Sequence, residues 1–197
     1  MTDINDPDER RPRLKGSPVA SSFETERLLL RQPSEADAVA IAEMDADPEV
    51  MRYIGDGTPV PFDPEAARGR ITRARRQWAE RGYGNLSVIV KETGQYAGWV
   101  MLAEPLFLPE VLPAVEIGWR FRREHWGRGY ATEAAKVLLD YGLTGCGLDR
   151  ILSIRFAGNI RSKRIMDKLG FRHEFDTVVP GTGERVAVHA ITRGSGR

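Results

Sequence analysis

Residues 124–134, Glu-His-Trp-Gly-Arg-Gly-Tyr-Ala-Thr-Glu-Ala, constrain the fold more than any other stretch of the chain. The run follows a strand-like segment at 115–121 and leads into a helix-like one at 132–141. Two glycines one residue apart at such a junction let the backbone turn tightly and aim several N–H groups at one point. With the positive end of the helix dipole behind them, those donors make a seat for a phosphate or pyrophosphate. Arg122, Arg123 and Arg128 put positive charge around the same turn. A plainer reading stands beside this one: a helix start that uses glycine for its geometry alone.

The rest of the chain gives the turn its context. Residues 1–22 hold three prolines, many charges and almost no apolar periodicity, so they are expected to be a disordered N-terminal tail. Residues 23–193 are expected to form a single domain, since 197 residues suffice for one full core and crowd two. A strand is expected at 27–32, then a helix from the Ser34/Asp37 capping pattern through Met44. Asp63-Pro64 starts a second helix, in which Ala67, Ile71, Ala74 and Trp78 recur at helical spacing and face the core. Arg68, Arg70, Arg73, Arg75 and Arg76 fill its other faces and read as solvated surface. Strands follow at 84–91, 96–103 and 114–122, with a hairpin turn at 92–95. After the glycine turn and its helix come Gly142, Gly145 and Gly147, a strand at 150–156 and a helix at 159–169. Two strands, 171–178 and 185–192, flank the turn at 180–183. The class is α/β with a mixed (α+β) sheet, about seven strands flanked by four helices.

Composition excludes several functions. A net charge of +1 argues against a general nucleic-acid binder. The excess of 24 arginines over five lysines suits bidentate contacts to phosphate or carboxylate, although a GC-rich genome produces the same bias. A single cysteine, Cys146, allows no internal disulfide and fits a cytoplasmic, reducing compartment. No apolar run reaches the ~20 residues of a membrane span, and the charged N-terminus lacks the apolar core of a signal peptide.

Five stretches carry a more specific signal: Arg27–Arg31, Glu116–Trp119, Trp126–Ala134, Asn159–Ser162 and Lys168–Phe171. In this order, over residues 24–193, the chain resembles the GNAT superfamily of acyl-CoA-dependent N-acetyltransferases. The likeness is greatest to the RimJ/RimL type, which acetylates N-termini of ribosomal proteins. The turn departs from the dinucleotide pattern G-x-G-x-x-G, because Thr132 stands at the third glycine, and no G-K-[ST] follows it. The resemblance implies that acetyl-CoA is the cosubstrate and that no metal takes part. Its pyrophosphate would rest on the turn formed by Trp126, Gly127, Arg128, Gly129, Tyr130, Ala131 and Thr132. Glu124, where the family usually has Gln or Arg, is denied a phosphate contact. Asn159 would meet the pantetheine arm or cap its helix, two roles that can coexist. Lys163 and Arg164 lie within the same region as further phosphate contacts or plain helix charges.

Two residues are the catalytic candidates. Strand alternation puts Val115, Ile117, Trp119 and Phe121 on one face and Glu116, Gly118 and Arg120 on the other. A carboxylate in a strand covered on both faces needs a partner or a task. In related enzymes an acid here receives the proton of the acceptor amine; the alternative is a structural ion pair with an arginine. The family's tyrosine acid, seven residues after the asparagine, is Met166 here, and Ser162 is the substitute seen in the RimJ/RimL type. An α-amino group, titrating near ~8, costs only about 1.4 kcal/mol to neutralise at pH 7, against about 4.6 kcal/mol for lysine near ~10.4. A low-pKa amine is therefore the favoured acceptor, either a protein N-terminus or a small molecule. His125, His173 and His189 are too scattered for a metal triad. Cys146 has no suggested partner as a nucleophile. The apolar loop around Phe107, Leu108, Val111 and Leu112 could rim the acceptor site, form a homodimer contact or pack on its own domain. Two other classes remain open: an acyl-CoA-binding regulatory or assembly module with little catalysis, and a dinucleotide-type nucleotide binder.

Overall fold

Leu28 and Leu30 are fully buried while their neighbours Leu29 and Arg31 are half-buried, and this alternation is the ground plan of the sheet. The computed structural model describes residues 22–194. Eight strands are present: β1 (Ser22–Glu24), β2 (Leu28–Arg31), β3 (Asn85–Val90), β4 (Tyr96–Ala103), β5 (Glu116–Phe121), β6 (Arg150–Phe156), β7 (Arg172–Val178) and β8 (Arg185–Thr192). They form one sheet in the order β1-β2-β3-β4-β5-β6-β8-β7. Only the β5–β6 pair is parallel. That pair is the place where the chain crosses over through a helix, as a parallel connection requires.

Five helices flank the sheet: α1 (Ala38–Ala46), α2 (Pro48–Met51), α3 (Pro64–Arg81), α4 (Tyr130–Asp140) and α5 (Ile160–Leu169). α4 lays Tyr130, Ala134, Ala135, Leu138 and Leu139 onto one face, against Leu28, Leu30, Val100, Leu102 and Ile117. α1 and α3 cover the other face with Ile41, Met44, Ala67 and Ile71, which pack around Tyr96, Ile89 and Trp99. α3 begins where expected because the Asp63 carboxylate accepts from the N–H groups of Glu65 (2.9 Å) and Ala66 (3.0 Å) ahead of Pro64. It ends on Gly82, whose φ of 74° closes the last turn.

Several expectations change. The sheet has eight strands rather than seven, since Ser22–Glu24 adds a short edge paired to β2. Three residues with one apolar side chain, Phe23, are too few to show a period. The helix added to the expected four is α2, a single turn started by Asp47, whose carboxylate accepts from the Glu49 N–H at 2.9 Å. α4 starts at Tyr130, two residues earlier than its apolar spacing suggests, directly from Gly129. Arg70 is not plain surface, because it reaches the buried carboxylate of Asp45 at 2.9 Å. Of the tail expected over residues 1–22, residues 1–21 lie outside the described residues and Ser22 opens β1.

The sheet is split along the parallel pair. β5 and β6 share one register pair, Glu116 with Leu152, beside the Leu152 N–H to Val115 carbonyl bond of 2.8 Å. Past it, the Ser153 hydroxyl donates to the Ile117 carbonyl at 3.1 Å, and the Ile154 N–H turns to the Glu116 carboxyl at 3.3 Å. Side chains thus take the bonds a continuing ladder would make, and the two strands part into a wedge. On its other side β5 is held close by β4. A Cβ on Gly98 would lie 2.2 Å from the Arg120 carbonyl oxygen, and its φ of 152° suits glycine alone.

Candidate functional site

The wedge opens into a groove of about 1210 Å³. Ile117–Phe121 of β5 and Ser153–Phe156 of β6 form its walls, the glycine turn one end and the start of α5 another. Glu116 sits at the apex with only 6% of its surface exposed. Burial pushes its carboxyl up to about 8, against the small opposing pull of the Ile154 N–H. Among the described residues no arginine pairs with it, so the structural ion pair considered from sequence is not formed. The group is therefore poised to exchange a proton near neutral pH.

At the turn, Gly127 and Gly129 have φ values of 73° and 82°, the left-handed region that favours glycine. No side chain caps α4, so its first-turn N–H groups are left for an external acceptor. A brace behind the turn went unnoticed in the sequence. Arg27 donates to the Glu133 carboxylate through Nε (2.8 Å) and Nη2 (2.5 Å), and through Nη1 to the Arg128 carbonyl (2.9 Å). Glu133 also accepts from Thr25 at 2.5 Å and from the Arg27 N–H at 3.2 Å. By holding the Arg128 carbonyl back toward β2, Arg27 leaves the donor side of the turn facing the groove. Both residues stand inside the matching stretches, but 106 positions apart, and nothing in one sequence pairs them.

The positive charge expected at the turn is mostly neutralised. Arg122 pairs with Glu43 (3.0 Å) and Glu124 (2.7 Å), and Arg123 with Asp47 (3.4 Å). Glu124 thus serves Arg122. Arg161, not singled out from sequence, stacks on Trp126 with its guanidinium 4.4 Å from the ring centre. On α5, Asn159 caps the helix by accepting from the Ser162 N–H at 3.0 Å. Asn159, Ser162 and Arg164 line the groove, while Lys163 turns to Asp167 at 2.8 Å. Met166 is fully buried in the main core, where a tyrosine donor would have stood.

The groove is also lined by Tyr53, Ile54, Trp99, Met101, Phe107 and Trp119. The apolar loop divides its duties: Leu108 is fully buried against Leu152 and Val188, and Phe107 rims the groove. Cys146 is buried and burial raises its thiol, which suits packing rather than attack. His173 and His189 contact edge to face at 5.3 Å, far along the sheet from His125 on the turn. Among the described residues no three His, Cys, Asp or Glu side chains converge to hold a metal ion, and no helix is long and apolar enough to cross a membrane.

Known proteins resemble this chain over most of its length. The family model described as an acetyltransferase (GNAT) domain matches residues 27–172. The uncharacterized N-acetyltransferase p20 of Bacillus licheniformis is 34% identical over 151 residues, 76% of this chain and 82% of that protein. The FsC-acetyl coenzyme A-N(2)-transacetylase of Aspergillus fumigatus is 28% identical over 162 residues, 77% of this chain and 67% of that protein. The solved GNAT-family acetyltransferase of Bacillus anthracis superposes with a TM-score of 0.72 at 30% identity, covering 87% of this chain and 98% of that one.

Proposed function

The chain belongs to the GNAT acetyltransferase family, and from that premise we propose that it moves an acetyl group from acetyl-CoA to a primary amine by direct attack in a ternary complex. The observation that carries this reading is the uncompensated carboxyl of Glu116, buried at the apex of a groove whose other end is a braced, uncapped glycine turn. The turn fits a pyrophosphate: Gly127 and Gly129 hold it open, a Cβ on Gly127 would meet nothing, and Arg27 fixes it from behind. Trp126, Gly127, Arg128, Gly129, Tyr130, Ala131 and Thr132 would hold the diphosphate, and Asn159 the pantetheine arm. The A. fumigatus relative, whose name specifies acetyl coenzyme A, supports that cosubstrate.

Bound acetyl-CoA supplies the acetyl group as a thioester with a thiolate leaving group. Glu116, as the carboxylate, receives the proton of the acceptor ammonium directly or through one water. Its raised pKa matches an α-amino group near ~8, so proton transfer between them is close to balanced. Ser162, at the groove wall, is the candidate donor to the departing sulfur. The aromatic stretch of Tyr53, Trp99 and Trp119 receives the body of the acceptor, a protein N-terminus or a small-molecule amine. We place the chain in the RimJ/RimL-like branch on its motif order and on Ser162 standing for the missing tyrosine, and in the cytoplasm on its single reduced cysteine. Thiol release from acetyl-CoA with a panel of amines and N-terminal peptides tests the reading. Release with a subset of amines, abolished by Glu116→Gln, supports it. Tight CoA binding without release toward any amine would make the fold a binding module.

A further inference from the structure

The central strands β4 and β5 are sealed on one face and open on the other. Val100, Leu102 and Ile117 are fully buried on the side that α4 covers. The opposite face carries three cross-strand pairs in a row: Ala103 with Glu116, Met101 with Gly118, and Trp99 with Arg120. The cover that α1 and α3 give this face reaches Tyr96 and Trp99. Met101 and Gly118 stand next in the row, only half-buried, and both line the groove. An apolar face left open in mid-sheet marks a surface that a ligand covers.

Gly118 is a glycine without a backbone reason. Its φ is not positive, so its conformation is open to other residues, and a glycine inside a strand weakens it. What the absent side chain leaves is room. A Cβ there would lie 3.0 Å from Met101 Cε and 3.9 Å from Trp99 Cζ3. Met101 thus lays the end of an unbranched, flexible side chain beside the bare Cα, and the floor of the groove is adjustable at this point. The floor lies two residues, roughly 7 Å, from Glu116 on the same face of β5. Arg120, next along that face, is already paired with Asp45 at 2.5 Å, so the floor presents carbon and sulfur rather than free charge. From the turn after α2, Tyr53 reaches the β6–α5 loop, where a Cβ on Gly158 would meet its ring at 3.5 Å.

We propose that Gly118 and Met101 form the specificity floor of the acceptor site, taking an apolar side group carried on or beside the carbon that bears the amine. This role rests on the acetyl-transfer reading, in which Glu116 receives the proton of that amine. An amine held at the Glu116 carboxyl, directly or through one water, brings the substituents on its first carbons to the next residue of the same face, Gly118. Two sources supply such a group: an apolar N-terminal residue and a small alkylamine. Glu49 and Asp56, both exposed, line the groove from α2 and the turn after it, so a second ammonium group is the competing occupant.

The test uses the full chain with the amides of glycine, alanine, leucine and phenylalanine. It measures kcat/KM with acetyl-CoA and, separately, affinity for the CoA-bound protein by calorimetry. Leucine amide is expected to exceed glycine amide by about tenfold or more, the worth of methylenes in an apolar pocket. Gly118→Ala is expected to narrow or reverse that preference, and Met101→Ala to extend it to phenylalanine amide. In both, KM for acetyl-CoA is expected to stay as in wild type. Met101→Ala adds no atoms to the floor, so it decides the matter where Gly118→Ala fails to fold. An unchanged order of amides in Met101→Ala, a wild-type preference for glycine amide, or a preference for 1,4-diaminobutane over isoamylamine each overturns the proposal. Leucine amide favoured over isoamylamine assigns the side group to an N-terminal residue, and the reverse assigns it to an alkylamine. Turnover with an order that neither variant moves leaves acetyl transfer standing and removes the floor. Absence of thiol release with every amine removes acetyl transfer, and the calorimetric order and its shift in Met101→Ala still decide the floor.

Discussion

A carboxyl raised to about 8 is half-ionised in the same range where an α-amino group is half-neutral. This sets a shape for the pH profile of Glu116→Gln. A positioned base contributes about 10²–10⁴-fold, and the loss of kcat is expected to be greatest near pH 8. Toward acid pH the wild-type carboxyl is itself protonated and the gap narrows; toward alkaline pH the amine loses its proton unaided and it narrows again. A deficit that is flat from acid to alkaline pH makes Glu116 structural. Stability moves the opposite way. A carboxyl whose folded pKa lies above its unfolded value of about 4.5 contributes stability below that value and loses it as pH rises through about 8. Glu116→Gln is therefore expected to gain Tm relative to wild type at alkaline pH and to lose that advantage near pH 4. The other candidates rank lower. Ser162→Ala is expected to cost about tenfold in kcat, because the CoA thiolate leaves without much help. Met166→Leu, a swap inside the core, is expected to turn over normally.

At the scale of elements, the β5–α4 turn is a bonded unit rather than a loop. The sequence showed its glycines and its place between strand and helix, since both signals are local. It did not show the brace, because Arg27 and Glu133 meet only when β2 and α4 pack. Likewise the arginines flanking the turn read as a positive patch, yet Glu43 and Asp47 cancel two of them from α1 and its end. Two substitutions separate donor geometry from bracing. Gly129→Val forces a β-branched residue into the left-handed region and is expected to weaken CoA binding by roughly tenfold or more. Arg27→Ala keeps the glycines but frees the Arg128 carbonyl. Calorimetry is expected to show a similar loss of CoA affinity, largely restored by no lysine, since only the guanidinium fork spans Glu133 and the carbonyl together. Full CoA affinity in a folded Arg27→Ala protein would make the brace irrelevant to the site.

For the whole molecule, periodicity was enough to give the mixed sheet and the order of its seven longer strands and four longer helices, because both are written in apolar spacing and glycine placement. The wedge was not legible. It depends on side chains of Glu116 and Ser153 replacing ladder bonds between strands that lie more than thirty residues apart in sequence. The same holds for Arg70, which reads as surface and folds onto the buried carboxylate of Asp45. A wedge with one shared register pair joins its two half-sheets weakly, so a ligand seated in it bridges them and binds the native state alone. CoA is expected to raise Tm with concentration, while NAD and ATP, which lack the pantetheine arm that would fill the wedge, raise it far less. Hydrogen exchange gives the sharper measurement. The amides of residues 117–121 and 154–156, on the two parted strands, are expected to slow on CoA binding, together with those of 127–132 on the turn. Protection confined to the turn would mean that the nucleotide end alone is held and that the wedge plays no part in binding the arm.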